Sequence, residues 1–265
     1  MFSGFSLSAV QFPEDQLDHF YQVGLNNFKQ CKVNVSTNLK KYICENGIIN
    51  GTMMQEDWFP QVSADVFLSH SHKDEKNVIA LAGWLNESFD LRVFVDSCIW
   101  GYAPDLLKII DDEYCVSNEE NGHITYSYQK RNYSTSHVYM MLSVALAKMI
   151  DKSECLIFYN TPSSLTTSST ISKGSTNSPW IYHELHTSKL IRHRPLCDYR
   201  KVQFRKDEYG AILEHAQLNI SYDVTLDHLV NIDADDLNSW ETAYLAKHCE
   251  YPLDKLYLQK GLFNL

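Results

Sequence analysis

The stretch that decides the fold is Asp65–Asp74, which reads DVFLSHSHKD. It opens with a short apolar run, which has the length and composition of a strand buried in a parallel sheet. Polar residues follow, and residues 75–89 then carry apolar side chains at helical spacing. The stretch therefore predicts a buried strand that ends in hydroxyl and imidazole groups and leads into a helix, which is the repeating unit of an α/β fold.

Two more apolar runs continue this pattern, LRVFVD at 91–96 and CLIFY at 155–159. The segment 137–152 is apolar almost all round, which predicts a helix buried on more than one side. Strands that alternate with helices predict a flavodoxin-like fold, with a doubly wound, mainly parallel sheet and helices on both faces. We expect the strands at 65–68, 91–95 and 155–159 to be mutually parallel and central.

The predicted α/β domain covers residues 61–230 and ends with a strand near 218–224. Residues 1–60 and 231–265 are predicted to be helical N-terminal and C-terminal extensions, because their clearest patterns have helical spacing. The stretch 114–136 is polar and rich in Asn, Glu, Tyr and Ser. We therefore predict a long loop inserted in the domain at this position.

Charge and composition argue against several classes of protein. The net charge of −10 argues against a nucleic-acid binder, which usually has a basic face. No run of about 18 apolar residues is present, so no membrane-spanning helix is expected. The first residues lack the basic segment of a secretory signal, and the seven cysteines are scattered without a CxxC pair. These features predict a cytoplasmic protein with reduced thiols.

Each predicted strand ends at polar side chains, with Ser69 after the first, Asp96 after the second and Asn160 after the third. Ligands of parallel sheets bind beyond the carboxyl ends of the strands, so we expect a nucleotide site at this edge. Strands also commonly end in polar turns, and the residues alone leave that structural reading open. The turn after the first strand has no glycine, which excludes a GxGxxG or GxxxxGK phosphate loop there.

A metal site is not predicted. The sequence HELH places His183 and His186 three residues apart, whereas the zinc-protease motif HExxH requires four. His70 and His72 follow the first predicted strand and are alternative ligands, but hydrogen-bonded histidines are the more common reading of such a pair.

Four segments occur in the order typical of TIR domains: DVFLSHSHKD at 65–74, LRVFVD at 91–96, KSECLIFYN at 152–160 and SPWIYHEL at 178–185. The last segment is similar to the family motif Ser-x-Trp-x-x-x-Glu-Leu. The chain therefore resembles the TIR family over about residues 64–189. It looks closest to bacterial TIR-like proteins of anti-phage defence, such as the signal-producing component of Thoeris systems.

The resemblance implies a catalytic role for Glu184, which occupies the position of the family's catalytic glutamate. It also implies that four residues contact the substrate, Ser69, Asp96, Gly101 and Trp180. Of these, the two at the strand ends would lie near the ribose, and the tryptophan would form a wall beside the glutamate. From spacing alone, the more ordinary reading of Glu184 is a solvated helix glutamate, or one that stabilises the helix dipole in the first turns.

The loop 97–103, which contains Gly101, resembles the BB loop, which in the family gates the site and mediates assembly. It also carries Cys98, Ile99, Trp100 and Tyr102, an unusual concentration of apolar side chains for a loop. Exposed apolar residues often mark a contact surface, so Trp100→Ala is expected to weaken self-association without affecting the fold. The alternative is that Trp100 packs back onto its own domain.

The resemblance implies that NAD⁺ is a substrate rather than a cofactor. The enzyme would cleave the nicotinamide–ribose bond and make a linear, cyclic or conjugated ADP-ribose signal in anti-phage defence. The resemblance also implies self-assembly through TIR contacts and a separate effector that responds to the product. Neither nucleic acid nor a membrane is expected as a partner. The alternative function is a non-catalytic TIR scaffold that acts through homotypic protein–protein contacts.

Overall fold

The computed structural model describes residues 1–8, 10–31, 38–44, 48–100, 102–120, 123–167, 174–200, 222–247 and 249–262. The strands are β1 (Ser3–Ser8), β2 (Val66–Ser69), β3 (Val93–Phe94), β4 (Val116–Glu120), β5 (His123–Tyr126), β6 (Cys155–Asn160), β7 (Thr166–Thr167), β8 (Gly174–Thr176), β9 (Tyr222–Val224) and β10 (Val230–Ile232). The helices are α1 (Glu14–Cys31), α2 (Gly51–Trp58), α3 (Glu75–Phe89), α4 (Asp96–Ile99), α5 (Ala103–Tyr114), α6 (Tyr128–Lys152), α7 (Pro179–Leu190), α8 (Ala234–Ala246) and α9 (Pro252–Gln259). Short 3₁₀ turns occur at Leu39–Tyr42, His72–Asp74 and Leu196–Asp198.

A five-stranded sheet with the order β10-β1-β6-β2-β3 forms the centre of the fold, and every neighbouring pair in it is parallel. This confirms the predicted α/β class, and the runs predicted at 65–68 and 155–159 are the strands β2 and β6. The run at 91–95 is a strand only at Val93–Phe94. The prediction that it is central is wrong, because β3 is the edge strand and α4 begins at once beyond it.

Two strands of this sheet were not predicted. β1 lies between β6 and β10, so the segment 1–60 supplies a central strand as well as helices. Four of the six residues in its sequence, SGFSLS, are Ser or Gly, and this composition hides a strand whose first five residues are buried. β10 has only three residues. Such a short run gives no clear pattern of alternation.

The predicted last strand at 218–224 lies partly outside the described residues, and its described end is β9. β9 does not belong to the parallel sheet. It pairs with β8 in a small antiparallel sheet of β7, β8 and β9. The fifth strand of the main sheet is instead β10, which follows a few residues later.

The segment 114–136 is not a loop, so that prediction is wrong. β4 and β5 form an antiparallel hairpin within it, and α6 already begins at Tyr128. The Ser127 hydroxyl caps this helix by accepting a hydrogen bond from the Lys130 amide. The helix predicted at 137–152 is therefore about two turns longer at its N-terminal end, where polar side chains face solvent and hide the helical pattern.

The order of the connections places the helices on two faces. The chain passes from β1 to β2 and then to β3 in one direction along the sheet, and returns through β6 to β10 in the other. Because such crossovers are right-handed, α1 and α3 lie on one face, and α6 and α7 on the opposite face. The side-chain contacts agree, since the Trp180 ring of α7 packs against Tyr139 of α6.

The helices α1 and α3 touch through their backbones at two glycines. A Cβ added at Gly83 of α3 would overlap the carbonyl oxygen of Phe20, and one at Gly24 of α1 would overlap that of Ile79. Glycine normally weakens a helix by about 1 kcal/mol relative to alanine. Here it is needed, because only a residue without a side chain allows the two helices to come this close.

The variant Gly83→Ala is expected to destabilise the protein by about 1–3 kcal/mol, since overpacking a backbone contact outweighs the gain in helix propensity. Gly51→Ala is the matched control, because a Cβ at Gly51, the first residue of α2, meets no atom within 4 Å. Urea unfolding of the two variants measures the difference. Equal or higher stability of Gly83→Ala would contradict the close approach.

In the ranges that the structure describes, no helix has both the length and the apolar character needed to cross a bilayer.

Candidate functional site

The fold places a potential binding site at the carboxyl ends of the neighbouring strands β2 and β6. β2 continues towards β3 and β6 towards β10, so the chain leaves these two neighbouring strands in opposite directions. A crevice opens between strand ends at such a switch point, and ligands of open α/β sheets bind there. Ser69 is the last residue of β2 and lies on this edge.

Glu184 meets Ser69 at this edge. The Ser69 hydroxyl donates a hydrogen bond to Glu184 Oε2 with an oxygen–oxygen distance of 2.6 Å. Both side chains are buried, with 1% and 4% of their surface exposed. The structure thus brings together two predicted site residues that are 115 positions apart in the chain.

The helix α7 holds Glu184 in place. Ser178 caps its N-terminus by accepting a hydrogen bond from the Ile181 amide, and Pro179 occupies the first turn, where the missing N–H costs nothing. Ile181 and Leu185 are buried on the side of the helix that faces the core. Glu184 lies between these two residues in the chain and is buried together with them.

The pKa of Glu184 is raised to about 8, first by burial and then by the negative charge of Asp96, while the hydrogen bond from Ser69 opposes the rise. Asp96 is the first residue of α4, separated from the end of β3 only by Val95, and is half-buried. Among the described residues, no lysine or arginine forms an ion pair with Glu184 or Asp96. The site therefore has two carboxyl groups without a counter-ion, an arrangement that favours a positively charged ligand.

His70, which the sequence suggested only as an alternative metal ligand, extends this group. It follows Ser69 directly, and burial lowers its pKa while the charge of Asp96 opposes that shift. Its ring meets that of His72 edge to face with 6.0 Å between centroids. In the described part of the chain, no group of three or more His, Cys, Asp or Glu side chains is arranged to hold a metal ion.

The polar side chains at the end of β6 make hydrogen bonds within the protein. Asn160 donates from Nδ2 to the Ser6 hydroxyl of β1 at 3.3 Å. Thr161 donates to a carboxylate oxygen of Asp74 at 2.6 Å. The polar side chains at the end of the third predicted strand, which were expected at the ligand site, thus bind β1 and the start of α3 instead.

Trp180 lies one turn before Glu184 and is half-buried. Its ring is 5.7 Å from that of Tyr139, so it packs at the contact of α7 with α6. Residues four apart share a face of a helix, and the role of Trp180 as a wall beside Glu184 stays a prediction. Gly101 lies outside the described residues.

The predicted contact surface on the loop 97–103 is wrong for Trp100. Only 4% of its surface is exposed, and its Nε1 donates to the Pro60 carbonyl at 2.8 Å. Its ring packs edge to face against Phe59 and Phe94. Trp100 therefore belongs to the core of its own domain, as in the alternative reading, whereas Tyr102 is 65% exposed.

Ser188, His228 and Asp227 lie next to one another near the C-terminal end of α7, but their geometry is not that of a catalytic triad with a serine nucleophile. Ser188 Oγ lies 3.0 Å from His228 Nε2, and Asp227 Oδ1 lies 3.8 Å from His228 Nδ1, beyond hydrogen-bond distance. Ser188 is fully buried, and its hydroxyl donates to the Leu185 carbonyl. Asp227 pairs with Lys189 instead. We interpret the array as structural.

A cavity of about 400 Å³ lies at the opposite edge of the sheet. Its lining includes Asp65, Arg92 and Glu154, which precede β2, β3 and β6. These three side chains are ion-paired, since Arg92 binds Asp65 at 2.6 Å and Glu154 binds Arg200 at 2.6 Å. The carboxyl groups of Glu184 and Asp96 beside Ser69 have no such ion pair among the described residues, and we take the carboxyl edge as the candidate site.

Comparison of the chain with protein-family models, with curated proteins and with solved structures finds no significant match.

Proposed function

We propose that this protein is an enzyme that cleaves the nicotinamide–ribose bond of NAD⁺, with Glu184 as the catalytic residue. The observation that carries the proposal is the buried Glu184 carboxyl, bound by Ser69 at the switch point of a parallel sheet and close to a second carboxyl group, Asp96. The order of the TIR-like segments supports the same assignment.

The chemistry of NAD⁺ suits a site of this charge. The nicotinamide ring carries a positive charge, so it leaves without an acid to protonate it. As it departs, positive charge develops on the ribose, and a preorganised carboxylate stabilises that charge in a site shielded from water. The negative charge of Asp96 acts in the same direction, and a cationic substrate in turn favours ionisation of Glu184.

The alternative proposal is a non-catalytic scaffold. A scaffold gains nothing from a buried carboxyl without a counter-ion, because such a group lowers the stability of the fold when it ionises. Groups of this kind are concentrated at active sites. The scaffold reading also loses one of its supports, since Trp100 is not available on the surface.

The proposal is tested by incubating the purified protein with NAD⁺, with and without extract of phage-infected cells, and identifying the products by mass spectrometry. Release of nicotinamide together with ADP-ribose, a cyclic form or a conjugate supports the enzyme and identifies the signal passed to an effector. The extract covers a requirement for activation or assembly. Unchanged NAD⁺ in both arms would favour the scaffold.

The rate of NAD⁺ cleavage is expected to rise as pH increases through about 8. The ionised form of Glu184 is the one that stabilises positive charge, and kcat/KM follows the ionisation of the free enzyme. Asp96→Asn removes a charge that raises this pKa, so the rise moves to lower pH. Ser69→Ala removes the hydrogen bond that lowers it, so the rise moves to higher pH. Profiles of kcat/KM against pH for the two variants measure both shifts. If both variants shifted the rise in rate in the same direction, Asp96 and Ser69 would not act on Glu184 as described.

A further inference from the structure

His70 is a titratable residue beside Ser69 that the proposed chemistry leaves without a role. Its Nε2 atom is buried and has no hydrogen-bond partner within the described part of the protein. Leaving a buried polar atom unsatisfied costs about 1–3 kcal/mol, and such atoms are uncommon in native proteins. An Nε2 atom in this state is therefore suited to form a hydrogen bond with a bound ligand.

The environment of His70 favours the neutral form of the ring. The ring hydrogen-bonds the backbone of Leu68. Since Nε2 has no partner, Nδ1 is the ring nitrogen available for this bond, and a neutral ring that donates from Nδ1 presents the Nε2 lone pair. Burial lowers the pKa of His70 and the charge of His72 lowers it further, while the carboxylates of Asp96 and Glu75 oppose the shift.

The same groups place His70 and Glu184 at one site. Ser69, which binds Glu184, is the neighbour of His70 in the chain, and Asp96 acts by charge on both titratable side chains. A ring that favours the neutral form, has a buried nitrogen without a partner and interacts with the charge of Asp96 has the properties required to accept a proton, because that negative charge stabilises the imidazolium that forms.

We propose that His70 is the general base of the proposed reaction and takes the proton from the water or hydroxyl group that attacks the ribose. This inference rests on the proposed function. The bond between the nicotinamide nitrogen and the anomeric carbon breaks, and its electron pair leaves with the now neutral nicotinamide. An oxygen–carbon bond forms at the anomeric carbon, and the proton released from that oxygen passes to Nε2 of His70. Glu184 stabilises the developing positive charge, and Asp96 stabilises the imidazolium.

The test compares His70→Ala with His72→Ala, an exposed neighbour whose ring touches that of His70. His70→Ala is expected to lower NAD⁺ turnover by about 10²-fold or more, the usual contribution of a general base. His72→Ala is expected to keep a rate near that of the wild type. Circular dichroism establishes that both variants are folded, and His70→Gln replaces His70→Ala if the alanine variant does not fold.

Azide distinguishes a base from a residue that only holds the structure, because this anion attacks carbon without losing a proton. Azide is expected to restore turnover of His70→Ala and to appear in the product as azido-ADP-ribose, but not to restore Glu184→Gln. A wild-type rate in His70→Ala, or no azide product, would overturn the role of His70 and leave the proposed function intact. Failure of the wild-type protein to consume NAD⁺ under any of the conditions would overturn both.

Discussion

Replacement of Glu184 by Gln is expected to lower NAD⁺ turnover by about 10²–10³-fold, by analogy with the removal of one preorganised electrostatic group from an active site. Glutamine has the size of glutamate and still accepts the hydrogen bond that Ser69 donates at 2.6 Å. What it lacks is the negative charge. The fall in rate therefore measures the electrostatic stabilisation of the ribose cation and little else. The measurement is nicotinamide release by the purified variant under conditions in which the wild type is active.

The stability of Glu184→Gln provides the control. Burial and Asp96 raise the pKa of Glu184 from its ordinary value to about 8, so the folded protein holds this proton more tightly than the unfolded chain does. The associated stability is present at acidic pH and is lost as pH rises through about 8. Gln does not titrate, so the variant is expected to be at least as stable as the wild type near neutral pH and more stable above pH 8.

The combination of lower activity and equal or higher stability is typical of a residue retained for function at a cost to the fold. If Glu184→Gln kept the wild-type rate, Glu184 would be a structural residue and the proposed catalytic site would be wrong. If the variant lost both activity and stability, the loss of rate would no longer measure charge stabilisation.

Replacement of Trp100 by Ala is expected to destabilise the protein by about 3–5 kcal/mol, the usual cost of removing a large aromatic side chain from a core. The indole fills the space between Phe59 and Phe94, and its Nε1 binds the Pro60 carbonyl at 2.8 Å. The substitution leaves a cavity and an unpaired carbonyl group. Urea unfolding followed by circular dichroism measures the free energy of unfolding.

Tyr102 supplies the matched control, because it is an aromatic residue only two positions further on and is 65% exposed. Tyr102→Ala is expected to change the free energy of unfolding by about 0.5 kcal/mol or less, as surface substitutions usually do. Equal effects of the two substitutions would contradict the packing of Trp100. Sedimentation of folded Tyr102→Ala then tests whether the exposed part of this segment takes part in self-association.

The sequence identified the α/β class because the signals for it are local. The apolar run at β2 and the periodic helix α3 that follows it are visible within 25 residues of Asp65. The start of α7 depends on equally local features, since Ser178 and Pro179 form a cap and a first turn from adjacent positions. Each of these features depends on neighbours in the chain, and the tertiary structure did not alter them.

The signals that failed were weak or depended on distant partners. Four of the six residues of β1 are Ser or Gly, and its place in the sheet depends on pairing with β6, about 150 residues later. The polar first turns of α6 resemble a loop because one side of the helix lies in water. For Trp100, the sequence left both orientations open, and only the position of Phe59 and Phe94 decided that the ring turns inward.

The candidate site divides in the same way. The sequence by itself placed Ser69 at the end of β2 and Asp96 just beyond the run that contains β3 and, through the resemblance to TIR domains, singled out Glu184. Only the tertiary structure decided that the Ser69 hydroxyl binds this carboxyl, that Asp96 raises its pKa, and that Nε2 of His70 is buried beside them without a partner. The physical reason is that hydrogen bonding, burial and charge interaction depend on distances in space, which local sequence patterns do not contain.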